Sequence, residues 1–193
     1  MLANLFSIGD RNYLNNAVVI SDALETITSI FGDVTDFKIQ FKKPFLSQGE
    51  FKISTDKLIG NIVGTFQTMG VNFYFSYTPT DIELENKTAT GTDVSVTVNP
   101  FNVCYYITDK CRGVIEAGFE RVYGPMKPAD KVIFVIFEIP DTGVFNEIIR
   151  QQHMPEMRTT DAQQTGDRRF MTSVYVGDKL LGHRHSTVKE FTV

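Results

Sequence analysis

Apolar residues recur along much of the chain at every second position. From Thr35, Phe37, Ile39 and Phe41 share one face while Lys38, Gln40 and Lys42 share the other, and Pro44 ends the run. The same alternation returns at Phe51 and Ile53, then at Val71, Phe73, Phe75 and Tyr77. It continues through Val94, Val96 and Val98 and, beyond a turn at Asn99 and Pro100, through Val103, Tyr105 and Ile107. Each of these segments predicts a strand with one wet face. The polar, Thr-rich connector from Pro79 to Thr92 reads as a loop or a hairpin excursion. Val132 to Ile139 is apolar at nearly every position, which predicts a central strand covered on both faces.

Two segments carry the helical period instead. Leu24, Ile27, Ile30 and Phe31 form one stripe, with Asp22 as cap, Glu25 completing a capping box and Gly32 as stop. Ala17 to Ile20 just upstream is either a preceding strand or an extra helical turn. After Asp141 or Thr142, Val144, Phe145, Ile148 and Ile149 share a face until Pro155 forbids continuation. His153 then falls in the last turn, where an imidazole suits the exposed carbonyls. Residues 154–169 have no apolar period and read as a polar arm or loop, ordered on assembly. Gly177 and Asp178 signal a hairpin that pairs Val176 with Lys179, Val174 with Leu181, Thr172 with His183 and Phe170 with His185. Both faces of that hairpin are half apolar, so one of them is expected to meet another subunit. No internal repeat is visible in the sequence. The expectation is one domain, 1–193, of α+β and mostly β class: an antiparallel or mixed sheet, or flattened barrel, of about seven to nine strands with two packed helices.

Composition agrees with strands, since 16 Phe and 7 Tyr stand in a chain of 193 residues without Trp. A net charge of -4 gives no electrostatic reason for a nucleic-acid or anionic-membrane partner. The apolar runs are far shorter than the roughly 20 residues that span a bilayer, and MLANLFSIGDRN lacks a charged leader. The expectation is therefore synthesis in a cytoplasm and no membrane partner. Cys104 and Cys111 read as reduced thiols, Cys104 inert within a strand, and the sequon at Asn86 to Thr88 reads as chance without a secretory signal.

The candidate chemistry lies near the C-terminus. GDKLLGHRHSTVKE places Gly177, His183, His185 and Glu190 at glycine, five residues, His-x-His, four residues, Glu. This stretch of fourteen residues resembles the first metal-binding motif of cupins, and the resemblance implies a metal held by His183, His185 and Glu190. Strand alternation, by contrast, puts Glu190 on the opposite face from the two histidines. GNIVGTFQTMG lacks the Lys-Ser or Lys-Thr of a phosphate loop, and no Gly-x-Ser-x-Gly, His-Glu-x-x-His or Cys-x-x-Cys occurs. Lys38, Lys42, Lys43 and Lys52, on the polar faces of strands taken as adjacent, read as a solvated face and not as the groove that Tyr74, Tyr106 and Tyr123 would need for stacking on bases.

These readings lead to the expectation of a non-enzymatic assembly subunit that forms homo-oligomers, of the kind found in virion rings of phage tail or neck type, with no cofactor and no metal. Its partners would be itself and other assembly subunits. The contact residues would be Arg158, Thr159, Asp161, Gln163, Arg168, Arg169, Phe170, Val174, Val176, Leu181, His183 and His185. The alternative is a small β-barrel enzyme with a metal on His183 and His185, and the third reading is a nucleic-acid-binding module.

Overall fold

A computed structural model describes residues 1–9, 14–87 and 98–190. Short strand β1 (Phe6–Ser7) precedes helix α1 (Asn16–Phe31), followed by β2 (Thr35–Phe41), β3 (Ser47–Ser54), β4 (Ile62–Thr68), β5 (Val71–Glu83) and short β6 (Glu85–Asn86). Helix α2 (Pro100–Tyr123) then leads to β7 (Asp130–Asp141), α3 (Thr142–Gln151), β8 (Met157–Thr159), β9 (Gln163–Gly166), β10 (Arg169–Val176) and β11 (Lys179–Glu190). The class is α+β: a nine-stranded sheet in the order β3-β5-β4-β2-β7-β11-β10-β8, antiparallel throughout, with β9 pairing β10. β1 and β6 form a separate parallel pair.

The sheet is built from two similar halves. In each, a short strand or connector leads into a helix, and the helix is followed by paired strands running outward from a seam. The first half runs β2-β4-β5-β3 outward and the second runs β7-β11-β10-β8, so the inner order differs. The seam is the antiparallel pair β2 and β7, with Phe37 opposite Ile139, Lys38 opposite Glu138 and Ile39 opposite Phe137. α1 and α2 pack against each other on one face of this sheet. That face carries the fully buried Phe37, Ile39, Phe66, Phe75, Phe137 and Ile139.

One glycine shapes this core. Gly64 lies between Ile39 and Phe75 across the ladder, and a Cβ there would collide with the Phe75 ring and the Lys38 carbonyl. The bare position lets the Phe75 ring lie across β4 and stack on Phe37, with centroids 5.6 Å apart. Phe51 and Phe66 close around the same ring.

The largest departure from the pattern reading is α2. Val103, Tyr105 and Ile107 look alternate over five residues, but Val103, Ile107, Cys111, Ile115 and Phe119 repeat every four and all are buried. Asn99-Pro100 is a helix start and not a strand turn: the Asn99 side chain accepts from the Asn102 N–H at 2.8 Å and Pro100 occupies the first turn. Three helices therefore stand among the described residues where two were expected. Val94 and Val96 lie outside the described residues. The run from Pro79 starts as a continuation of β5 to Glu83 and not as a loop.

α1 also starts earlier than its stripe suggested. Asn15 is the cap, accepting from the Ala17 N–H at 2.8 Å, because Ala17 to Ile20 are fully buried and helical. Asp22 and Glu25 are consequently interior helix residues and not a capping box. α3 begins as expected, with Asp141 accepting from the Gly143 N–H. It ends at Gln151, so exposed His153 lies beyond the cap residue Gln152. β7 is central in the sheet but covered by helices on one face, with Phe134 46% exposed.

The C-terminal hairpin turns at Gly177 and Asp178 and pairs Val176 with Lys179. A bulge then intervenes: Tyr175 pairs with Leu180 and Val174 with Gly182, leaving Leu181 as the extra residue. Beyond it Ser173 faces His183 and Met171 faces His185, one register away from the expected pairing. A slip of one residue exchanges the faces. The histidines therefore lie on the outer face with Ser173 and Met171, while Phe170, Thr172, Val174 and Arg184 lie on the helix side. Residues 154–169 are not a free arm in this structure, since β8 and β9 pair with β10 and Met157 is buried.

Candidate functional site

α1 presents two carboxyls three residues apart, Asp22 and Glu25, to an open groove of about 530 Å³. The apolar lining is Leu24, Pro100, Phe145 and Ile149, and the polar lining includes Asn4, Thr28 and Asn146. α1, the start of α2 and α3 thus each contribute a wall. Asn146 donates from Nδ2 to Asp33 Oδ1 at 2.8 Å and to Thr28 Oγ1 at 3.3 Å, which fixes its amide across the α1–α3 gap.

Asp22 is 9% exposed, and its carboxylate accepts from the Tyr77 hydroxyl at 2.7 Å and from the Asn4 N–H at 3.2 Å. Burial raises its pKa above the usual aspartate value, opposed by these two hydrogen bonds. Glu25 stands at the exposed lip, yet its carboxyl sits close enough to protein atoms that burial, and then the charge of Asp22, raise its pKa as well. Tyr77 is fully buried. Burial, the Asp22 charge and the shared hydrogen bond all raise its pKa well above the ordinary range, so it stays protonated and acts as a donor. Cys104 on α2 is a buried, neutral thiol, its pKa raised by burial and then by the charge of Glu25. Two carboxyls that both hold protons more tightly than usual, one buried and anchored and one reachable, can accept and return a proton at a bound substrate. Asp22 and Glu25 were assigned to helix capping in the sequence; the signal that separates the two roles is the unbroken apolar run Ala17 to Ile20, which lengthens the helix upstream of Asp22.

The residues singled out from the sequence scatter over other places. His183 Nδ1 and Ser173 Oγ lie 2.7 Å apart, and His185 Nε2 contacts Glu138 Oε1 at 2.5 Å, on the outer sheet face. Glu190 is five residues further along β11, about 17 Å by strand rise, and pairs with Asp130. Among the described residues no set of three or more His, Cys, Asp or Glu side chains converges to hold a metal ion. Phe170, Val174 and Leu181 are buried within the chain itself, and Val176 is half-buried against the main core. Arg168 bridges Asp130 at 3.0 Å and covers Phe119 and Tyr123. Arg158 lies over Tyr175, while Asp161, Gln163 and Arg169 are exposed and Thr159 is half-buried. Lys38 and Lys52 sit on strands separated by β4 and β5, so the basic cluster is dispersed. Among the described residues no helix is long and apolar enough to cross a membrane.

No protein-family model and no curated protein matches the chain. Similar solved structures exist. A conserved protein of unknown function with a hot dog fold from Alicyclobacillus acidocaldarius is 11% identical, with a TM-score of 0.47, covering 94% of this chain and 88% of its own. A candidate oleoyl thioesterase from Lactobacillus plantarum is 8% identical, with a TM-score of 0.40, covering 100% and 98%. A candidate thioesterase II from Thermobifida fusca YX is 9% identical, with a TM-score of 0.38, covering 95% and 89%. The expectation of a non-enzymatic virion ring subunit is corrected on this finding, since these neighbours are hot dog and thioesterase-type proteins and none of the three is a virion protein. The virion destination is withdrawn with it.

Proposed function

We propose that the α1–α3 groove is a hydrolytic site that uses carboxylate acid–base chemistry on an acyl ester or thioester. The observation that carries this reading is the pair Asp22 and Glu25, both with raised pKa, at the wall of an open groove with an apolar side. Glu25, at the lip, takes the proton of an attacking water. Asp22, held by Tyr77, supplies the second carboxyl that keeps Glu25 basic by repulsion. Leu24, Phe145 and Ile149 receive the acyl chain. The amide of Asn146 lies near the same wall as a fixed polar group. Thioesters are the favoured class because their carbonyl is weakly resonance-stabilised and yields to a water activated by a carboxylate alone.

The test is hydrolysis of short, medium and long acyl thioesters and of the matching p-nitrophenyl esters. Glu25→Gln is expected to lower kcat by about 10²- to 10⁴-fold, the usual scale of a lost general base. Full activity in Glu25→Gln and Asp22→Asn, or no turnover of any panel member by the parent protein, would sink the reading.

A further inference from the structure

Residues 1–5 lie alongside β3 as a strap. Leu2 bridges Glu50 in the antiparallel sense, the Phe51 N–H donates to the Met1 carbonyl at 2.7 Å and the Ala3 N–H to the Gly49 carbonyl at 2.8 Å. The register of β3 against β5 shifts between Ser47 and Gly49, and there a side chain continues what the backbone began. Gln48 Oε1 accepts from the Leu5 N–H at 3.1 Å and its Nε2 donates to the Leu5 carbonyl at 2.7 Å. One amide thus satisfies both backbone groups of Leu5, as a neighbouring strand would. Leu5 is fully buried in a slot that Gly49 leaves open. A Cβ at Gly49 would stand 3.2 Å from Leu5 Cδ1, 3.3 Å from Phe45 Cζ and 3.4 Å from Tyr77 Cδ1.

Asn4 stands between these two anchored residues, and its backbone N–H meets Asp22 Oδ1 at 3.2 Å. The Tyr77 hydroxyl takes Oδ2 at 2.7 Å, so each carboxylate oxygen has a donor. The two donors are held differently. Tyr77 is buried on β5 inside the sheet, whereas Asn4 is exposed at the groove wall and keeps its place through its neighbours. We infer that Gln48 is a positioning residue of the candidate site: by clamping Leu5 it holds the Asn4 N–H on the Asp22 carboxylate, although it lines no part of the groove. Loosening that clamp withdraws support from the ionised carboxyl, and burial then acts on it with less opposition. The consequence for turnover rests on the hydrolytic reading; the consequence for the Asp22 proton does not.

Titration of the Asp22 carboxyl carbon by NMR, assigned with Asp22→Asn, tests the clamp on the free protein. Gln48→Met keeps the side-chain length and removes both bonds to Leu5. In that variant Asp22 is expected to titrate at higher pH than in the parent, and the Asn4 and Leu5 amides to exchange on the order of tenfold faster. Asn4→Pro deletes the donor itself and is expected to move the titration the same way, at least as far. Gln48→Met should add nothing in the Asn4→Pro chain, since the link is already cut. An Asp22 titration unchanged in Gln48→Met would overturn the assignment even if the strap loosens, as would shifts that add in the double variant. No substrate is present in this measurement, so its failure and the failure of the hydrolytic reading appear in separate experiments.

Discussion

At Asp22, burial and a hydrogen bond from Tyr77 act on one carboxyl in opposite directions. The hydroxyl stabilises the ionised form, while burial acts the other way and prevails, so the folded chain holds the Asp22 proton more tightly than the unfolded one. The folded state then binds more protons than the unfolded state between the ordinary aspartate pKa and the raised one. The stability contribution is fully present below the ordinary value and is lost as pH rises through the raised value. Asp22→Asn keeps an acceptor for Tyr77 and has no charge to desolvate. Its urea midpoint is expected to fall less than that of the parent protein between pH 4 and pH 8. Tyr77→Phe leaves the carboxylate short of a donor and is expected to cost about 1.5 to 3 kcal/mol at neutral pH by urea unfolding. The acid limb of any activity should move to higher pH in the same variant, because the bond that lowers the Asp22 pKa has gone.

Among the elements, α2 and the C-terminal hairpin were the least legible. Three apolar residues at alternate positions, Val103, Tyr105 and Ile107, satisfy a strand and a helix equally over so short a window. What decides is the longer series through Phe119 and the cap at Asn99. Asn99→Ala is expected to cost about 1 kcal/mol of stability in thermal or urea unfolding, as the loss of a single cap does. The hairpin turn at Gly177 was readable from its residue types, but the extra residue Leu181 was not. A bulge is chosen by how the side chains pack: Leu181 is fully buried and Gly182 sits so near the Glu138 carbonyl that a Cβ would press on it. That one residue moves His183 and His185 to the outer face and turns Arg184 into the helix layer. In the first half, Gly64→Ala would drive the Phe75 ring off β4. A loss of about 1 to 3 kcal/mol is expected, measurable as a lower urea midpoint.

For the whole molecule, the seam between β2 and β7 joins halves whose sequences show no repeat. The main core runs from Ala3 through α1, α2 and α3 to Leu181, and α1 packs on α2, so each half lends the other its cover. A fragment of residues 1–87 exposes the seam edge of β2 and the helix face that met α2. It is expected to show no cooperative thermal transition by circular dichroism, and a sharp transition in that fragment would refute the dependence. The sequence by itself determined the α+β class, strands β2, β3, β5 and β7, the start of α3 and the turn at Gly177, because each follows from a local period or a local cap. Tertiary structure decided the two-half plan, the face on which the histidines lie and the burial of Asp22 and Arg184. Those depend on which strand pairs with which, and on a one-residue shift of register that no local pattern encodes.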